Sequence, residues 1–108
     1  MIQLPSPVSA YIAATNTQDA AGVARCFLPE GTVRDEGEVH RGTAAIAAWA
    51  HETGQRYRAT MAPRHVTGSG NHCLVEATVE GNFPGSPATL RLSFALQEDG
   101  IASLEIGV

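Results

Sequence analysis

The sequence predicts an α+β domain in which one curved, mostly antiparallel sheet wraps over three helices. Apolar residues recur at helical spacing through the first half of the chain, and from Gln55 onward they alternate with polar residues as they do in strands. Segments rich in Gly and Pro separate the alternating stretches. Helices first and antiparallel strands afterwards are typical of this fold class, because each layer covers the apolar face of the other.

The first two helices are expected to form a helical hairpin. Ser6-Pro7 is the pattern of an N-cap followed by a first helical position, and the spacing that follows places Tyr11 on the inward face. Asp19 is the expected N-cap of a second helix, whose apolar spacing continues through Phe27 until Pro29 stops it.

A short strand pair and a third helix follow. Gly31 opens a strand that runs to Asp35, Glu36-Gly37 supplies a turn, and Val39-His40 returns beside the first strand. Thr43 is the expected cap of the third helix.

The third helix is predicted to end at Gly54, where a C-terminal cap belongs. Its inward face combines one large aromatic residue with smaller side chains. The predicted buried stripe consists of Ile46, Trp49, Ala50 and Thr53.

Four long strands complete the predicted sheet of six. Breaks at 68–71, 83–87 and 98–100 separate them, and their alternation gives one apolar and one polar face. Pro63 lies inside the third strand, where it indicates a bulge or a sheet edge, since proline cannot donate to the ladder.

The composition limits the classes of protein to which this chain can belong. The 108 residues are 44% hydrophobic and 17% charged, which indicates one globular domain over 1–108 rather than a disordered chain. The net charge is −4 and the basic residues form no run, so nucleic acid is not an expected partner. The start of the chain lacks a secretory pattern, and no apolar run is long enough to span a membrane, so a cytoplasmic protein without a membrane partner is expected.

Cysteines and histidines indicate neither a disulfide nor a metal site. Cys26 and Cys73 are expected to be free thiols. The histidines fall in four different predicted elements without ligand spacing, and no phosphate-binding loop or nucleophile elbow is present, so no cofactor is expected. The four histidines are His40, His51, His65 and His72.

Asp35 is the most informative residue of the chain. It shares a strand face with Val33, so its carboxylate is expected to point inward. Burial of an ionised carboxylate is unfavourable unless hydrogen bonds or a raised pKa compensate. Asp35 is therefore either a general base in a pocket or a structural carboxylate satisfied by hydrogen bonds, and both readings stay open.

The order of elements resembles the nuclear-transport-factor-2-like superfamily, and the SnoaL-like and ketosteroid isomerase-like branches are most similar. The resemblance implies a cone-shaped sheet, a cystatin-like α+β barrel with three helices on its concave face, a conical pocket, and a homodimer formed through the outer face of the sheet. The matching residues are Tyr11-Ile12, Asp19, Phe27, Thr32-Val33-Arg34-Asp35, Arg41-Gly42, Ala45-Ile46, Trp49 and Asp99-Gly100-Ile101.

The resemblance also implies catalytic roles. In ketosteroid isomerase an Asp base works beside an oxyanion hole made of a Tyr and a protonated acid. Asp35 matches the base and Tyr11 the Tyr donor, but Leu92 occupies the position of the acid. Efficient steroid isomerisation is therefore not expected, because loss of one oxyanion donor typically costs about two to three orders of magnitude in rate.

Two functions remain as predictions. The first is a cofactor-independent isomerase, cyclase or hydratase-type enzyme that acts on a small hydrophobic molecule, with Asp35 as base and Tyr11 as donor. The second is a non-catalytic binding or dimerisation module of the same fold. His40 is either a proton shuttle at the pocket mouth or a surface residue. The predicted pocket wall consists of Trp49, Met61, Leu92, Phe94 and Leu104.

Overall fold

The computed structural model describes residues 3–108, and their helices and strands follow the predicted order. The helices are α1 (Ser6–Asn16), α2 (Ala20–Arg25) and α3 (Thr43–Tyr57). The strands are β1 (Phe27–Asp35), β2 (Glu38–Arg41), β3 (Thr60–Ser69), β4 (His72–Glu80), β5 (Ala88–Gln97) and β6 (Gly100–Gly107).

The strands form one open, curved sheet in the order β2-β1-β6-β5-β4-β3. All neighbouring strands are antiparallel except β1 and β6, which run parallel. The α+β class and the mostly antiparallel sheet are confirmed. The parallel pair arises because the chain leaves β1 through β2 and α3 and returns to the side of β1 only with the last strand.

The core lies between the helices and the concave face of the sheet. Alternation along β4 and β5 buries one side of each strand, as the sequence predicts. From the helices, Val8, Tyr11 and Ile12 of α1 and Ile46 of α3 are buried against this face. On the strands, the buried residues of β4 are Cys73, Val75, Ala77 and Val79, and those of β5 are Leu92 and Phe94.

The predicted end of the second helix is wrong. Helix α2 ends at Arg25, and Phe27 is the first residue of β1, where it pairs with Ile101. The N–H of Ile101 donates to the carbonyl of Cys26 at 2.9 Å, so pairing with the last strand replaces the next helical turn. Pro29 lies within β1, in the stretch where the β1–β6 register shifts, since it has no N–H to contribute.

The predicted end of the third helix is also wrong. Helix α3 continues past Gly54 to Tyr57, and Arg58 adopts the left-handed cap conformation with φ 47°. A Cβ at position 54 would lie 2.9 Å from Oε1 at the flexible end of the exposed Gln18 side chain, so glycine is not required here by backbone packing.

Two of the three predicted N-caps are shifted by one residue. Ser6 and Thr43 are the first residues of α1 and α3, and the caps are Pro5 and Gly42. Asp19 is confirmed, since its side chain accepts the N–H of Gly22 at 2.9 Å.

Other local predictions agree with the structure. The register between β3 and β4 shifts between Pro63 and His65, and β3 is an edge strand. Cys26 and Cys73 are free thiols. Across residues 3–108 no helix is long and apolar enough to cross a membrane.

Candidate functional site

A cavity of about 640 Å³ lies between the helices and the concave face of the sheet and is partly open to solvent. Its wall is mainly apolar, and its volume is typical of sites that take a small organic molecule. Four aromatic residues line it, namely Tyr11, Trp49, Tyr57 and Phe83. The larger aliphatic residues of the wall are Val23, Met61, Val79, Leu90, Leu92, Ile106 and Val108.

Asp35 lines this cavity from the end of β1. Its side chain is half-buried and follows the fully buried Val33 on the same strand face, as the alternation predicts. Burial raises the pKa of the Asp35 carboxyl above its ordinary value, and the nearby charge of Glu36 adds to this increase. Hydrogen bonding from Trp49 and the charge of His40 partly oppose the shift.

Trp49 is the hydrogen-bond partner of Asp35. The indole Nε1 on α3 donates to Oδ2 of Asp35 at 3.1 Å, which fixes the carboxylate relative to the helix. The sequence predicted Trp49 as a core residue of the third helix or as a wall of the pocket, without a hydrogen-bond partner. The sequence did contain a basis for predicting this hydrogen bond. A partly buried indole N–H needs an acceptor, and Asp35 was the acid expected to point inward.

Tyr11 lines the cavity from α1 and is only 2% exposed. Burial strongly raises the pKa of its phenol, and the charge of Asp35 raises it further, so Tyr11 keeps its proton at neutral pH. Its ring packs edge-on against Phe27 and Phe94, with centroid distances of 6.3 and 5.6 Å. A rigid, protonated phenol is suited to donating a hydrogen bond.

The structure brings some of the predicted wall residues to the cavity and leaves others outside it. Trp49, Met61 and Leu92 line the cavity. Phe94 and Leu104 do not; they lie opposite each other on β5 and β6 in the buried core, and the ring of Phe94 packs against Tyr11.

His40 is also outside the cavity wall. It lies on β2, and its ring is 6.0 Å from that of Trp49 between centroids. In the β1–β2 hairpin His40 lies opposite Val33, and it is not among the residues that line the cavity.

Tyr57 is a cavity residue that the sequence did not indicate, and three segments of the chain meet around it. The Tyr57 hydroxyl donates to Oε1 of Glu36 in the β1–β2 turn at 2.8 Å, and its ring packs edge-on against Phe83 at 6.0 Å. All three residues line the cavity. A third helix ending at Gly54 would have left Tyr57 without this position.

Asp35 and Tyr11 supply groups that can take part in proton transfer and hydrogen bonding at the cavity. Among residues 3–108 no group of three or more His, Cys, Asp or Glu side chains is placed to bind a metal ion. Asp35 can accept a proton, and Tyr11 can donate a hydrogen bond to an oxygen in the same apolar space.

This fold and cavity are those of a known class of small α+β domains. The SnoaL-like domain family matches residues 8–102, and the chain belongs to that family. A comparison with curated proteins finds no significant match.

Solved structures agree with the family assignment. A proposed polyketide cyclase from Sinorhizobium meliloti is 38% identical, with a TM-score of 0.91 over 95% of this chain and 94% of that chain. A protein with a ketosteroid isomerase-like fold from Catenulispora acidiphila, in complex with trimethylamine, is 20% identical, with a TM-score of 0.87 over 98% and 87% of the two chains.

A third similar structure is an epoxide hydrolase/cyclase-like enzyme, SalBIII, of pyran ring formation in the polyether salinomycin. It is 20% identical, with a TM-score of 0.81 over 94% of this chain and 87% of that chain. At such identities the likeness concerns the fold.

Proposed function

We propose that this protein is a cofactor-independent enzyme that performs acid–base chemistry on a hydrophobic carbonyl or epoxide compound, with Asp35 as general base. The main support is the half-buried Asp35 carboxylate facing an apolar cavity of about 640 Å³. A carboxyl whose pKa is raised by such surroundings is a better base than one in water. The family assignment and the 38%-identical proposed polyketide cyclase are consistent with this reaction class.

The proposed first step is removal of a proton from the carbon next to a ligand carbonyl. Asp35 takes the proton, the C–H electron pair forms the enolate, and the negative charge moves to the carbonyl oxygen. The Tyr11 hydroxyl donates a hydrogen bond to that oxygen, and the Trp49 indole holds Asp35 in position. Where a C=C bond of the ligand is conjugated with the enolate, return of the proton to the far carbon of that system would give an isomer.

Ring closure is a second outcome of the same intermediate. The enolate carbon would attack a second carbonyl carbon of the ligand, and the proton held by Asp35 would pass to the new alkoxide. With an epoxide, Asp35 would remove the proton of an attacking ligand hydroxyl as its oxygen bonds to an epoxide carbon and the C–O bond of the epoxide at that carbon breaks. Asp35 would then return the proton to the epoxide oxygen, which becomes the new hydroxyl. Every step uses only the ligand and residues of this chain.

Binding without turnover is the alternative function, and Leu92 favours it. Leu92 is fully buried and lines the cavity where an additional acid would assist oxyanion stabilisation. Of the positions of Tyr11 and Leu92, only Tyr11 would then supply a hydrogen-bond donor. The enolate of a bound ketone would be stabilised less than it would be by two donors.

Proton exchange on a simple ketone distinguishes the two functions. β-Tetralone in D₂O with the wild-type protein should incorporate deuterium beside its carbonyl faster than in buffer, as followed by NMR. Asp35→Asn should lower this rate by about a hundredfold or more, because removal of a general base typically costs at least that factor.

The matched control is Asp99→Asn, which removes the same charge from an exposed position outside this cavity and should keep the wild-type rate. An Asp35→Asn variant that exchanges as fast as the wild type would refute the role of the base. Binding of β-tetralone without any exchange would establish the non-catalytic alternative.

We also propose that the protein forms a homodimer through the outer face of the sheet. This face is polar, and cross-strand ion pairs order its side chains: Arg91 lies 3.4 Å from Glu76, and Arg34 lies 3.7 Å from Glu105. A partly polar face of this kind suits a hydrated interface between two identical copies.

A further inference from the structure

We infer that the cavity selects its ligand by charge, taking uncharged or cationic apolar molecules and excluding anionic ones. The substrate would then enter as a ketone, ester, lactone or amine, and not as a free carboxylate or phosphate. This inference rests on the proposed function of the cavity as a ligand site.

Among residues 3–108, the charged side chains that line the cavity are all acidic. Within the part of the chain that the structure describes, Asp19, Asp35 and Glu36 line the cavity, and no Lys, Arg or His does. Asp35 has the strongest influence, because its carboxylate is half-buried and the surrounding apolar wall screens its field poorly. Asp19 and Glu36 are more exposed, with side-chain exposures of 48% and 54%.

Two arginines lie close in sequence to residues at the rim of the cavity, but they do not make the charge of its wall positive. Arg56 forms ion pairs with Glu52 and Glu36, donates to the hydroxyl of Tyr57 at 3.2 Å, and has a half-exposed guanidinium. Arg25 lies 3.7 Å from Asp19 and is largely exposed. Neither arginine lines the cavity, and His40, whose charge acts on Asp35, does not line it either. A carboxylate inside the cavity would therefore meet Asp35 with no cationic side chain in the wall.

The polar groups that do face the cavity suit neutral or positive ligands. Tyr11 offers a hydroxyl that stays protonated, which suits a carbonyl oxygen. Asp35 suits an ammonium group, and the Trp49 ring beside it can add a cation–π contact. An anion would lose its hydration shell and gain neither an ion pair nor a charged donor.

The test uses three ligands with one apolar body: adamantyl methyl ketone, adamantyl methylammonium and adamantane carboxylate. Trp49 is the single tryptophan of the chain and lines the cavity, so its fluorescence reports occupancy, and adamantane does not absorb in the same range. At neutral pH the ketone and the ammonium should bind at least about tenfold more tightly than the carboxylate, the size expected for one like charge at close range.

Asp35→Asn should reduce this discrimination several-fold by improving carboxylate binding, whereas Asp99→Asn, with the same change of net charge, should leave it unchanged. Calorimetry repeats the measurement without relying on Trp49. Equal affinities of ketone and carboxylate would overturn the charge selection while leaving the proposed ligand site intact. Failure of all three ligands and of β-tetralone to bind would overturn both the ligand site and the charge selection.

Discussion

The Asp35 carboxylate is both partly buried and hydrogen-bonded, and these two features have opposite effects on its ionisation. Burial raises its pKa, and the 3.1 Å hydrogen bond from Trp49 stabilises the ionised form. The first effect is the larger, so the folded protein holds the Asp35 proton to higher pH than the unfolded chain does. A functional group kept in such surroundings is expected to lower stability.

The pH dependence of stability follows from the direction of this shift. The folded pKa of Asp35 lies above the ordinary value of 3.8, so above that pH the folded state binds more protons than the unfolded state until both are ionised. This carboxyl therefore lowers the free energy of unfolding as pH rises through that window. Asparagine does not titrate, so the melting temperature of Asp35→Asn relative to wild type should increase from acidic to neutral pH.

Thermal unfolding of both proteins across this pH range measures the effect. Asp99→Asn serves as the control for a change in net charge. A wild-type protein that instead gains stability relative to Asp35→Asn as pH rises would show that hydrogen bonds to the carboxylate outweigh its burial.

At the scale of elements, Asn16 joins α1 to the edge strand β3. Its Nδ2 donates to the carbonyl of Met61 at 3.0 Å, and its Oδ1 accepts the N–H of Met61 at 2.7 Å. The amide therefore pairs with Met61 as another backbone strand would. Because Met61 lines the cavity, this contact also fixes one side of the site.

Asn16→Ala should destabilise the protein by about 1–3 kcal/mol, since two partly buried backbone groups lose their partner. Chemical denaturation measures this difference. Asn16→Asp is the matched variant, because it keeps the acceptor for the Met61 N–H but loses the donor, and it should fall between alanine and the wild type. Wild-type stability in the alanine variant would contradict the proposed role of this contact.

The elements that sequence predicted well are those fixed by local pattern. Alternation located β4 and β5, and the Asp19 cap located the start of α2. The clearest error occurs where a distant contact overrides local preference: pairing with Ile101 draws Phe27 into β1. Another is at Gly54, which α3 passes before it ends at Tyr57.

The candidate site was predictable to a similar extent. Strand alternation gave the inward direction of Asp35, and helical spacing gave that of Tyr11. The Trp49–Asp35 hydrogen bond and the position of Tyr57 depend on the curvature of the sheet and on the length of α3, which the pattern did not specify. Phe94 and Leu104 share the apolar face of the sheet with Leu92. Alternation identifies that face, but it does not identify which of its residues line a cavity and which pack against other side chains.

At the scale of the whole molecule, the two faces of the sheet have separate roles in the proposed function. The concave face and the helices enclose the cavity, and the outer face would join two copies. Light scattering should therefore give twice the protomer mass of 11.3 kDa at micromolar concentration.

Ser93 lies on the outer face beside Arg91, so Ser93→Arg should add repulsion between two copies and shift the protein toward monomer. Thr17→Arg, on an exposed residue at the end of α1, is the control and should stay dimeric. A wild-type protein that is monomeric at high concentration would contradict the proposed dimer.

Enclosure of Asp35 by an apolar cavity that admits a ligand is the property on which the proposed function depends. NMR titration of the Asp35 carboxyl carbon, with and without adamantyl methyl ketone, measures it directly. The free protein should show a pKa above 3.8, and the ketone should raise it further by displacing water from the carboxylate. An ordinary pKa that does not respond to the ketone would contradict the assignment of this cavity as the functional site.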